Sequence, residues 1–359
     1  MSIVAASAQP MLSFPNAATR PQRLLSVDVL RGLCVAGMVL VNFPADWVLR
    51  YQQLSHADWD GATATDMIFP MFLFLAGLSM ALSFASRTGR GQSRWQLAGH
   101  VVIRSLTLLV LGLLLNAFPD FDWHNLHIPG VLQRIALCCL AGGLFTLATA
   151  QTGPQRRFSI NSWAVGAFAV AILATVWALI RFVPVPGYGA WRFDHNGYLG
   201  AVIDRAIFGN RHLSNWGGPD RMWDADGLLS CIASIPNLLL GVLAAVWIAN
   251  PRRRVVARNR PIAQMLLAAA ALIATALLLN SYLVINRKIW TDSFTLLSGG
   301  VSLGVFAIAN YLLDVAPESV GLARWRPLLT PALVYGSNAI LGFAIYTVLL
   351  GLQGIYRIP

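Results

Sequence analysis

The sequence predicts an all-α, polytopic helical membrane protein with about 9–11 membrane-spanning helices. Three observations carry that expectation. Of 359 residues, 57% are hydrophobic and only 11% are charged, less than half the roughly 25% of an ordinary soluble domain. Apolar runs of about 20 residues, the length that crosses a bilayer, recur from end to end. The basic residues then fall in alternate connections between those runs. The four cysteines, Cys34, Cys138, Cys139 and Cys231, all lie inside apolar runs, so a secreted disulfide scaffold is excluded. The net charge of +11 does not indicate nucleic acid, because the arginines form no cluster on one soluble face.

Taken in order, the spans fall near 29–49, 64–85, 97–118, 131–150, 162–183, 228–249, 263–284, 293–314 and 331–353. They have to be helical, since lipid offers no partner for a backbone amide. Residues 1–22, rich in Ala, Ser, Pro and Asn, read as a disordered cytoplasmic tail, with the first span an uncleaved anchor. Residues 23–359 read as one transmembrane domain, in which 184–227 is a long extracytoplasmic loop.

Charge gives the orientation. Fourteen basic residues, from Arg20 and Arg23 through Arg252–Arg260 to Arg324 and Arg326, share one set of short connections, against eight on the opposite set. The acidic residues lean the other way, with Asp58, Asp60, Asp120, Asp122, Asp224 and Asp226 all on the second set. The N-terminus is therefore expected in the cytoplasm, and the 50–63 connection outside.

Polar residues that hydropathy ought to have removed mark function in a membrane protein. Asp28 and Arg31 are three apart on one helix face, which makes either an anchoring ion pair or an anion site with Arg31 holding a phosphate. Asn42 follows Arg31 by eleven residues, roughly 16 Å along a helix, and precedes the helix-breaking Pro44. It is either glue between helices or part of a cavity. His56 lies on the next short connection beside Asp58, Trp59 and Asp60, with Asp66 at the entry of the second span. Neutral imidazole is the proton acceptor suited to physiological pH, whereas a loop histidine is more commonly just solvated. Trp59 suits a membrane interface first and a sugar ring second.

Further polar residues fall at similar depth: Gln133 and Arg134 at the start of span four, Asp224 and Asp226 before span six, Asn286 and Lys288 beside span eight, Tyr335 and Asn338 in span nine. Trp290 with Lys288 also reads as a plain interface anchor. No His, Cys, Asp and Glu cluster has metal-ligand spacing, and His124 and His127 beside Asp120 and Asp122 make only a weak zinc candidate. Buried Asn, Arg and Asp in polytopic helices also fit a transporter of sugars or muropeptide fragments.

Six segments carry a resemblance: RLLSVDVLRG, MVLVNFP, HADWDGATATDMIFPMFLFLAG, IPGVLQRIAL, INRKIWTDSFTLLSGG and YGSNAI, running from about residue 23 to 342. In them the sequence resembles the transmembrane acetyltransferase family that includes lysosomal heparan-α-glucosaminide N-acetyltransferase and its bacterial relatives. The resemblance implies an acyltransferase domain in the bacterial cytoplasmic (inner) membrane. Acetyl-CoA would arrive from the cytoplasm as co-substrate, and an amino sugar or glycan would accept the acetyl group outside. It places the catalytic histidine on His56 and its assisting asparagine on Asn42. It places the DxxRG pair of the cofactor site on Asp28 and Arg31, implies no metal, and allows a homodimer; Arg31 and Arg104 are the cations available to CoA phosphates near the inner face. Trp59, Asp66, Gln133, Arg134, Asp226, Asn286, Lys288 and Asn338 are then the expected acceptor contacts. Asp60 stands where relatives commonly have Asn.

Overall fold

The computed structural model describes residues 24–42, 51–152, 158–249, 260–316 and 326–356. The expected tail 1–22, Pro44 and most of the arginine-rich connections lie outside the described residues. The chain folds into a helical bundle. In order it comprises α1 (Leu25–Asn42), α2 (Ile68–Gly89), α3 (Arg94–Ala117), α4 (Val131–Thr149), α5 (Ser162–Phe182), the short α6 (Leu199–Phe208), α7 (Leu228–Ala249), α8 (Arg260–Leu279), α9 (Asp292–Asn310), α10 (Arg326–Ser337) and α11 (Ala339–Tyr356). An antiparallel pair, β1 (Gln151–Thr152) with β2 (Phe158–Ser159), and two isolated bridges, Gly61 with Asn286 and Val185 with Gly189, are the β pairing among the described residues.

Eight described helices are long and apolar enough to span a membrane, or nine if the bent α10–α11 pair counts as one span. Nine is the low end of the expectation, and eight is one below it. The last predicted span is corrected: α10 and α11 meet at 78°, with the break at Asn338. Asn338 therefore ends a helix instead of sitting inside one, and its Nδ2 donates to the Val334 carbonyl at 3.1 Å. A hydropathy window averages straight across such a break. The loop 184–227 contains α6, whose apolar Leu199 and Ala201 are buried.

Local signals set several helix starts. Ser93 and Gln96 form a reciprocal capping box on α3. Asn161 caps α5 through the Ala164 amide, and Thr291 caps α9 through the Phe294 amide. The cap on α1 comes from far along the chain: Asp314 accepts from the amides of Leu25 (2.8 Å) and Ser26 (3.2 Å). A carboxylate there also complements the helix dipole.

α7 is the most deeply buried of the spans. Two pairs of glycines let backbones meet. A Cβ on Gly77 would lie 1.9 Å from the Leu238 carbonyl oxygen, and one on Gly241 would lie 1.9 Å from that of Phe74. These contacts lock α2 against α7. Likewise, a Cβ on Gly32 would lie 1.8 Å from the Ala332 carbonyl oxygen and one on Gly336 1.9 Å from that of Asp28. The DVLRG and YGSNAI segments thus meet at one helix crossing, the close approach that small residues permit in membranes.

α1, α3, α5 and α8 end, and α2, α4, α7 and α9 begin, at one end of the bundle. There the connections 51–67, 118–130, 183–227 and 280–291 pack into a cap. Gly61 N–H donates to the Ile285 carbonyl at 2.7 Å, joining the first of these connections to the last.

Candidate functional site

His56 lies in that cap. Its Nδ1 is 2.6 Å from Asp66 Oδ1, at the start of the second span. Asp66 has 0% side-chain exposure, while His56 is 37% exposed. The second carboxylate oxygen accepts from the amides of Ala57 (3.1 Å) and Thr63 (2.9 Å). The Thr63 hydroxyl lies between the Ser55 carbonyl (2.5 Å) and Asp66 Oδ2 (3.1 Å). Arg287 supplies the charge partner, with Nε 3.6 Å from Asp66 Oδ1. With Asp66 accepting from Nδ1–H, the lone pair is on His56 Nε2, the form a proton acceptor needs. Burial and the Arg287 charge pull the His56 pKa below the ordinary histidine value, and Asp66 only partly opposes them.

Asp66 is expected as an acceptor contact, and the structure places it behind His56. Its oxygens are fully buried and committed to His56, the loop amides and Arg287. It positions the imidazole.

Several other expected contacts are likewise spent inside the protein, because a buried polar group needs a partner. One face of the Trp59 ring is stacked on His195 at 3.7 Å, its edge meets Trp223, and its Nε1–H donates to the Phe193 carbonyl at 2.7 Å. Lys288 donates to the Asp58 carbonyl and lies over the rings of Trp59 and Trp223. Buried Asn286 donates to Asp60 at 3.3 Å and accepts from the Ile289 amide at 2.9 Å. These three residues staple the cap together. Trp290 is no interface anchor: it is wholly buried, with a positive φ of 60°, and Arg134 lies 4.6 Å over its ring.

Arg134 is buried too. It pairs with Asp226 at 3.2 Å and donates to the Ala225 carbonyl (2.5 Å) and Ser230 Oγ (2.6 Å). Arg287 lies within electrostatic reach of both Asp226 and Arg134 as well as Asp66. The cap therefore encloses two carboxylates and two guanidiniums, with His56 at the edge of the cluster.

Below the cap a cavity of about 330 Å³ runs between α1, α2, α3, α4 and the α10–α11 break. Arg31, Ser79, Arg104 and Asn338 line it deep in the bundle, and Val131 and Leu132, at the start of α4, line it toward the cap. The rest of its wall is largely apolar. Arg31 Nη2 donates to Ser79 Oγ at 3.1 Å and lies 3.6 Å from Asp28. Arg31 and Arg104 thus share one cavity, with Asp28 beside Arg31 and outside the lining.

Asn42 is half-buried at the last turn of α1 and donates one amide hydrogen to the Met38 carbonyl at 2.8 Å. Its second N–H has no acceptor among the described residues. No hydrogen bond joins Asn42 to His56. Gln133 is buried, lines a second, smaller cavity with Asp226, and its Nε2 has no partner among the described residues.

Sequence reading missed Ser79, the acid–base partnership of His56 with Asp66, and the carboxylate that holds His127. His124 and His127 are not a metal pair. His124 faces Arg211, and His127 Nε2 is 2.7 Å from Asp224. Asp224 comes 97 residues later, so no local spacing signals the contact. No cluster of three or more metal-ligating side chains occurs among the described residues.

Comparison with known proteins gives two findings. The family model described as "Heparan-alpha-glucosaminide N-acetyltransferase, catalytic" matches residues 23–182, the stretch that contains Arg31, Asn42, His56, Asp66 and Arg104. Curated relatives named "Heparan-alpha-glucosaminide N-acetyltransferase" are 26% identical over 364 residues in Mus musculus and 27% identical over 357 residues in Homo sapiens. Each comparison covers 89% of this chain, and 54% and 53% of the respective relative. The chain is thus distantly homologous to these proteins and spans about half their length.

Proposed function

We propose that this protein is an integral-membrane acetyltransferase that moves an acetyl group from cytoplasmic acetyl-CoA to an amino sugar or related glycan on the extracytoplasmic side of a bacterial inner membrane. The observation that carries this is the His56–Asp66 dyad in the cap, in the same matched stretch as Arg31 and Arg104, which line the membrane-embedded cavity. The orientation rests on the charge asymmetry of the connections, with the N-terminus cytoplasmic.

Arg31 and Arg104 suit the anionic part of acetyl-CoA, and the apolar wall toward Val131 suits its acyl arm. A volume near 330 Å³ is at the small end for a ligand site, about 300–1,000 Å³, and takes the arm rather than the whole nucleotide. The acceptor nitrogen attacks the thioester carbonyl carbon. His56 Nε2 takes the proton that the nitrogen loses, Asn42's remaining N–H donates to the developing oxyanion, and the C–S bond breaks to release CoA thiolate. The thiolate then takes up the proton. A positioned base contributes about 10²–10⁴-fold, and a single oxyanion donor about 3 kcal/mol.

The test is CoA release by purified protein in nanodiscs, followed with a thiol reagent while glucosamine is titrated. Release that depends on both substrates is the expected result. Uptake of labelled sugar into proteoliposomes without acetyl-CoA, with no CoA release, would establish a transporter instead.

A further inference from the structure

On the outer side of the cap lies a polar cleft of about 410 Å³ between the 118–130 and 213–221 segments. Its lining includes Asn116, Asp120, Asp122, His127, Trp216 and Arg221. Asn116 and His127 also line the small cavity of about 140 Å³ that holds Gln133 and Asp226. That cavity in turn shares Val131, Leu132 and Phe343 with the membrane cavity that holds Arg31 and Arg104. The three spaces therefore form a series from the outer surface to the middle of the bundle.

Two features at the junction point to a ligand. Gln133 is only 5% exposed, and its Nε2 has no acceptor among the described residues; leaving such a donor unpaired is costly. His127 is held by Asp224, whose side chain is 2% exposed and which also accepts from the amides of Ser214 (2.7 Å) and Asp226 (2.8 Å). With Nε2–H directed at Asp224, the lone pair of His127 is on Nδ1. The imidazole is fixed in place although it belongs to neither the His56 cluster nor a metal site.

The cleft itself has the chemistry of a carbohydrate site. The Trp216 ring is 79% exposed beside carboxylates and amides. Asp122 is engaged by the His124 amide and Asn125, whereas the Asp120 carboxylate has no hydrogen-bond partner among the described residues. Arg221 gives one of its donors to the Arg211 carbonyl. The surface therefore offers carboxylate acceptors and an aromatic face, with one guanidinium at its edge.

We propose that this cleft is the acceptor-binding site, resting on the acetyltransferase reading above. A hydroxyl-rich sugar ring lies on Trp216 with hydroxyls donating to Asp120. Its amine-bearing end faces the small cavity, where His127 Nδ1 and Asp226 accept from the amine and Gln133 Nε2 donates to a hydroxyl oxygen of the same ring. His127 is a binding residue for the acceptor, distinct in role from His56. The shared lining then delivers the amine to the mouth of the acyl cavity at Val131.

The experiment is calorimetric binding of glucosamine to the full-length protein in nanodiscs, without acetyl-CoA, for the parent, Trp216→Ala, Asp120→Asn and His127→Gln. Trp216 and Asp120 are at the surface, so these two variants fold. Each variant is expected to bind glucosamine about tenfold more weakly. In turnover the acceptor KM should rise by the same factor, with the acetyl-CoA KM unchanged. Glucosamine binding that depends on the cleft in a protein that releases no CoA would support the cleft and reject the transfer reading. Unchanged glucosamine affinity in Trp216→Ala and His127→Gln would overturn the proposal, whether or not acetyl transfer is observed.

Discussion

His56 Nδ1 and Asp66 Oδ1 stand 2.6 Å apart, joined across ten residues of chain that fold back at Gly61 and Thr63. The carboxylate is sealed from water while the imidazole keeps an open edge. In the proposed mechanism that asymmetry separates the two roles: Asp66 fixes the tautomer, and His56 meets the substrate.

Asp66→Asn keeps the size of the side chain but removes the charge and gives Nδ1 an ambiguous partner. The expected result is a fall in kcat of about 10²–10⁴-fold, the range for a general base put out of place. Acetyl-CoA binding should be retained. An unchanged kcat would mean that the pair is only a structural hydrogen bond.

The pH profile follows from the same cluster. His56 acts as a base only when neutral, so kcat/KM falls as pH drops through its pKa. Burial and Arg287 lower that pKa, so the acid limb should lie below the ordinary histidine value of about 6.5. Arg287→Gln removes one of the lowering charges, and the limb should move up. A parent limb at or above the ordinary value, or a downward move in the variant, contradicts the assignment.

Arg31→Gln tests the deep end of the membrane cavity. A charge-assisted hydrogen bond is worth about 1.5–3 kcal/mol, so the KM for acetyl-CoA should rise roughly tenfold or more. The KM for the acceptor should not move. Arg104→Gln is expected to act in the same direction. Equal changes in both KM values would show general disruption instead.

Gly336→Ala places a Cβ 1.9 Å from the Asp28 carbonyl oxygen, whereas a Cβ on Gly99 in α3 meets nothing within 4 Å. Overpacking costs about 1–3 kcal/mol. Thermal unfolding in detergent should therefore show Gly336→Ala clearly destabilised and Gly99→Ala close to the parent. Equal melting of the two would remove the helix crossing as a determinant of the fold.

Hydropathy read much of this fold directly. The expected 228–249 coincides with Leu228–Ala249, and 131–150 and 162–183 end one residue past Thr149 and Phe182. It missed the break at Asn338, because apolar residues continue on both sides of it. It also missed α6, which is too short to register as a span.

Candidate residues can be named from the sequence, but their pairing cannot. Arg134, Asn286, Lys288 and Trp59 are expected to meet the acceptor, yet each is bonded to other residues of the cap. Partners such as Asp224 for His127 and Asp314 for the start of α1 come from distant segments. Only the folded chain brings them together.

The most direct test is a comparison of binding and turnover in His56→Ala. The account predicts that acetyl-CoA binds this variant with the affinity of the parent protein, measured by calorimetry, while glucosamine-dependent CoA release drops by at least about 10²-fold. Turnover at the parental rate with intact acetyl-CoA binding would contradict it.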